Sequence, residues 1–164
     1  MERISHKKAA FPHPNKKEEK TMNANAEFLN YVYQNSQMGV DTLQQLMELT
    51  DSREFKTVLT QQLQGYEKFH NEARTLLNEN GFDEKGLNMF EKIRTYLMVN
   101  LQLLSDNSVS RIAKMLIQGS SMGITQTVEK LNRYEREVEK DARRLMTELK
   151  DFEEKNVEKL KEFL

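Results

Sequence analysis

Glu67 and His70 sit three residues apart in the segment YEKFH, among Leu59, Leu63, Tyr66, Ala73 and Leu77 at helical spacing. On one helix, Glu-x-x-His places a carboxylate and an imidazole one turn apart on a shared side, the spacing with which helical bundles hold carboxylate-bridged metal pairs. Glu153 and Asn156 repeat that spacing near the other end of the chain, with an amide where a second imidazole would stand. Glu67, His70 and Glu153, with Asn156 as a fourth ligand, are therefore the candidate metal site, and iron or manganese the candidate metal. The set is thin. Two divalent ions in a low-dielectric interior need several anionic ligands to offset their lost hydration, and only two carboxylates are on offer.

A second reading of the same residues needs no cofactor. His70 and Asn156 would be buried polar groups, hydrogen-bonded to Ser36, Ser120 or water, forming a polar layer of Ser36, His70, Ser120 and Asn156 that fixes helix register. This reading is preferred, and no cofactor is expected from it. Other chemistry has less to work with. There is no cysteine and no glycine-rich phosphate loop, and the remaining histidines, His6 and His13, lie near the chain start.

The elements that position these groups are helices. Gly and Pro are scarce, and Leu, Met, Glu, Lys and Gln abundant, in a chain of 164 residues, enough for one domain. Residues 1–22 hold both prolines and a mixed charge run, which predicts a loosely held tail before a domain spanning 23–164, with Met22 as an alternative translation start. A first helix is expected from Asn23 to Leu49, with Phe28, Leu29, Val32, Ser36, Gly39, Val40 and Leu43 on its core face. Asp51 or Ser52 would cap a second helix, Arg53 to Asn78, ended by Gly81 in the left-handed conformation. Leu87, Phe90, Ile93, Leu97, Leu101 and Leu104 define a shorter third helix, flanked by Asp83, Gly86, Asp106 and Asn107. A fourth starts near Val109. A turn at Tyr134 to Glu137 then precedes a last helix, whose stripe runs Val138, Ala142, Leu145, Leu149, Phe152, Asn156, Leu160 and Phe163.

Gln34, Ser36, Met38 and Gly39 recur as Gln118, Ser120, Met122 and Gly123, and the second and last helices align more faintly, placing Glu67 on Glu153 and His70 on Asn156. Two related helical hairpins joined by a long connection resemble the ferritin-like superfamily over about residues 24 to 164, and the QQL-to-His spacing of the second helix resembles spore coat protein F-like sequences. The resemblance implies an all-α, antiparallel four-helix bundle with an extra helix in the crossover. In metal-binding members it also implies inward carboxylates on the first and third bundle helices, where this chain has Ser36 and Ser120. Gln34 and Gln118 are expected to face away from the core, because two residues turn a helix by about 200°.

Charge is nearly balanced, 25 basic against 26 acidic residues, with a mild basic excess only in residues 1–20. No nucleic-acid partner is expected, and no apolar run approaches a membrane span. Met38, Met115, Met122 and Tyr31 lie off the main stripe, where they would pack under the crossover helix, form a homo-oligomer interface or line a ligand groove. The leading expectation is a non-catalytic structural or interaction protein, cytoplasmic and with a spore-coat-like role as one setting. The alternatives are the reduced metal site and a small apolar ligand held beside Ser36, Gly39, Ser120 and Gly123.

Overall fold

The computed structural model describes residues 15–82, 91–102 and 108–164. Five α-helices occur there: α1 (Lys16–Met47), α2 (Arg53–Glu79), α3 (Glu91–Gln102), α4 (Val109–Arg133) and α5 (Lys140–Lys161). No described residue is in a strand. The expected residues at 83–90 and 103–107, among them Leu87, Phe90 and Leu104, lie outside the described ones, as do His6 and His13.

Local chemistry sets most helix ends. Ser52 accepts from the Phe55 amide at 3.2 Å, and Ser108 caps α4 in the same way. After α2, Gly81 takes φ 68°, and the Phe82 amide reaches back to the Leu77 carbonyl at 2.9 Å. The start of α1 departs from expectation. It begins at Lys16, not Asn23, because Asn15 and Glu18 form a reciprocal capping box, so residues 16–22 are helical. The break before α5 falls at Tyr134–Glu137 as the stripe predicts. There the cap is tertiary. Glu139 offers no side-chain cap, and its amide donates to Asn25 Oδ1 of α1 at 2.7 Å.

Contacts along the helices give their directions. Asn25 meets Glu139, and Asn35 lies beside Glu153, so α1 and α5 run the same way. Glu27 pairs with Lys130 at 2.6 Å while Tyr31 bonds Gly123, so α4 runs against α1. Phe55 packs on Phe163, Tyr66 on Phe152, and Glu72 pairs with Arg144, so α2 and α5 are antiparallel. The long helices therefore follow the order up, down, down, up.

The core between them is filled by fully buried Phe28, Leu43, Phe55, Leu59, Leu77, Ile112, Leu145 and Leu149. Helix α1 touches α2, α4 and α5, and is buried over a wider arc than one stripe. That arc takes in Gln34, 1% exposed, against the expectation that it faces outward. Gln118 does lie on the surface, where it accepts a hydrogen bond from Tyr96 of α3. The crossover helix seats on α4 through Leu97, which lies so close to Gly119 that a Cβ there would meet its side chain at 3.0 Å.

Candidate functional site

Glu67 and His70, the chemical pair of the sequence, are separated by the fold. His70 is buried at 8% exposure, whereas Glu67 is exposed to solvent. The two are three residues apart and so differ by about 60° around the helix, enough for one to leave the edge of the core face. His70 is also fully engaged. The Tyr33 carbonyl, 3.2 Å from Nδ1, can only accept, so Nδ1 carries the proton; Arg74, 3.1 Å from Nε2, can only donate, so it takes the lone pair. A metal ion at Nε2 would have to displace a guanidinium. The Tyr33 ring stacks on the imidazole at a centroid distance of 4.3 Å.

Glu153 has no part in that contact. It is 2% exposed and receives the Tyr66 hydroxyl at 3.1 Å on Oε1, with the Asn35 amide beside it. Among the described residues, no three His, Asp or Glu side chains are grouped to hold a metal ion. Glu67, His70, Glu153 and Asn156 thus do not form the ligand set that the resemblance implies.

The expected polar layer is likewise rearranged. Ser36 turns its hydroxyl onto its own helix, to the carbonyls of Val32 at 2.6 Å and Tyr33 at 3.0 Å, which is how a helical serine satisfies itself when no partner is near. Ser120 and Asn156 stand instead beside the Tyr66 phenol, one turn along the bundle from His70, although Asn156 Nδ2 has no hydrogen-bond partner of good geometry among the described residues. The layer in the structure is therefore Asn35, Tyr66, Ser120, Glu153 and Asn156. Below it a second small network joins α1 to α4, where the Tyr31 hydroxyl donates to the Gly123 carbonyl at 2.9 Å and accepts from Thr127 at 3.1 Å.

Glycine makes room for this cluster. A Cβ on Gly123 would lie 3.4 Å from Glu153 Oε2 and 3.3 Å from the Asn35 amide nitrogen, and one on Gly39 would lie 2.7 Å from the Tyr66 ring. The repeated glycines thus admit a carboxylate on one side and a phenol on the other, an asymmetry that the matching sequences do not show.

Electrostatics follow from burial. Desolvation pushes the Glu153 carboxyl up to about 7, although the Tyr66 hydroxyl and the Asn35 amide beside it pull the other way. Burial, and then the Glu153 charge, push the Tyr66 phenol well above its usual range. Glu27 shows the opposite balance. Burial would raise it, but Lys130 and Tyr134 outweigh that and hold it below the usual carboxylate range.

The cluster borders a cavity of about 40 Å³ between α1, α2, α3, α4 and α5, closed on its apolar side by Leu43, Ile93, Leu97 and Leu116. Gln62 and Glu153 line it, and Gln62 Nε2 and Glu153 Oε2 have no hydrogen-bond partner of good geometry among the described residues. Outside lies a larger cleft of about 370 Å³, where Met38, Asp41 and Thr42 of α1, and Glu48 just after it, face Arg94, Leu97, Met98 and Leu101 of α3, with Met115 of α4 at its side. Met38, Thr42 and Leu97 line both spaces, which therefore adjoin. Met38 and Met115 accordingly pack under the crossover helix, one of the placements expected for them, whereas Tyr31 is a core residue.

The signal for Glu153 was present in the sequence only as half of a metal motif. Gln62 and Asn35 carried no separate mark, since polar residues on a wide helix arc read as solvated, and Tyr66 was marked only as a member of the apolar stripe. Comparison with protein-family models, with curated proteins and with solved structures finds no match to the chain.

Proposed function

We propose that the chain is a non-catalytic, ferritin-like helical bundle that works by binding, and that the cleft between α1 and α3 takes a small amphipathic molecule. The observation that carries this reading is the pairing of two spaces: an outer cleft of ligand size, about 370 Å³, and an inner cavity whose polar groups are only partly satisfied. The up-down-down-up order and the long α2-to-α4 connection support the ferritin-like build, which uses one such crossover. Non-catalytic action is supported by the state of the residues that could do chemistry. His70 spends both ring nitrogens on Tyr33 and Arg74, and Glu67 is on the surface. Thermal unfolding of the full chain against a panel of C6 to C12 amphiphiles tests the reading. Saturable stabilisation that is lost when Met38→Trp fills the cleft is the expected result.

A second reading is association through helix faces, as a homo-oligomer in a structural setting such as a spore coat. It is favoured by Met98 and Val99, adjacent on α3 and 47% and 46% exposed. Light scattering coupled to size-exclusion chromatography of the wild type and of Met98→Glu/Val99→Lys distinguishes it, since only an interface on α3 makes the variant monomeric.

A further inference from the structure

Glu153 is a buried carboxylate without a cation. Its neighbours are a phenol, amides and a serine, and among the described residues none of its hydrogen bonds or ion pairs involves Lys or Arg. A carboxylate at 2% exposure that keeps one oxygen without a partner of good geometry, with only the uncharged Asn35 amide beside it, is a costly arrangement for a structural residue, and glutamine in its place would preserve the shape without the charge. The free oxygen belongs to a side chain that lines the inner cavity, as does the Gln62 amide.

We infer that the inner cavity is a head-group site for a primary ammonium, and that the ligand is a linear aliphatic amine whose chain passes Met38 and Leu97 into the outer cleft. This rests on the cleft being a small-molecule site. Three features select this class. The carboxylate offers an acceptor and a negative charge in a low-dielectric space, where an ammonium gains most from both. The inner volume of about 40 Å³ admits a group of ammonium or methylammonium size and excludes a guanidinium or an aromatic ring. Met38 and Leu97, which line both spaces, are apolar, and methionine adapts to a flexible chain without leaving voids. The cleft mouth adds Asp41 and Glu48 against Arg94, a balance that favours entry of a cation.

The test is calorimetric titration of the full chain at pH 8 with octylammonium, octanol and octanoate, each below its micellar concentration. Octylammonium is expected to bind at one site at least tenfold more tightly than either of the others. Glu153→Gln is expected to remove that preference, while Glu154→Gln, on the exposed face of the same helix, leaves it unchanged. If the Glu153 variant fails to fold, carbon NMR of the wild type with labelled glutamate carboxyls gives the answer: one buried carboxyl resonance shifts with octylammonium and not with octanol. Octanol or octanoate binding as well as the amine overturns the ammonium assignment and leaves the cleft reading standing. Binding of none of the three overturns both.

Discussion

Tyr66 of α2 and Glu153 of α5 meet across antiparallel helices, the phenol donating to the carboxylate at 3.1 Å with both side chains inside the core. The pair connects the elements that most define the site. The same Tyr66 ring lies against Gly39 on α1 and edge-on to Phe152, at a centroid distance of 5.0 Å. Its hydroxyl therefore has little freedom to leave the carboxylate.

Stability should fall as pH rises. The Glu153 carboxyl is near 4.5 when unfolded and about 7 when folded, so the folded state binds the extra proton between those values. Stability is then fully present below about 4.5 and lost as pH rises through about 7, by roughly 3 kcal/mol at 1.36 kcal/mol per unit. Urea unfolding between pH 4.5 and 8 should show this decline in the wild type, and Glu153→Gln should flatten it.

Tyr66→Phe removes the hydroxyl that donates to Glu153 Oε1. A cost of about 1–3 kcal/mol is expected for the unserved carboxylate, larger at pH 8 than at pH 5 because only the ionised form loses a charge-assisted bond. Denaturation at the two pH values checks it, and an equal cost at both would mean that the phenol acts through packing alone.

Gly39→Ala drives a methyl to within 2.7 Å of the Tyr66 ring. Overpacking of this kind costs about 1–3 kcal/mol, more than the gain of about 1 kcal/mol from replacing a helical glycine. Gly81→Ala makes a useful contrast. Nothing lies within 4 Å of a Cβ there, but φ is 68°, so its loss of about 1–2 kcal/mol comes from the backbone and should leave the pH dependence of stability unchanged.

His70→Leu should change stability by less than about 1 kcal/mol. The Tyr33 carbonyl keeps Ser36 as a donor and the Arg74 side chain reaches water, so neither is stranded in a dry interior. Thermal melts at pH 7 test this. A loss above about 2 kcal/mol would mean that the stack with Tyr33 contributes far more than its area.

Asn25→Ala should loosen the start of α5. The Glu139 amide then loses its acceptor among the described residues, which for a helix cap is worth about 1 kcal/mol. Hydrogen exchange should show faster opening of residues 139–143, with α2 unaffected.

Helix positions were largely determined by the sequence itself. Ser52, Ser108 and Gly81 act through bonds and torsions within a few residues, and the new stripe beginning at Val138 placed the last break with no Gly or Pro to mark it. The capping box at Asn15 and Glu18 was equally local and legible, and the expected tail overran it because the mixed charges around it read as solvated. The tertiary structure decided which face of each helix became interior. Glu67 and Glu153 match when the sequences of the second and last helices are aligned, yet one is on the surface and the other in the core, because α2 and α5 present different arcs to their neighbours. Gln34 went inside for the same reason, with α1 covered by three helices. A helical period states which residues share a side. How wide an arc is covered depends on how many helices pack around it, and that is a property of the assembled chain.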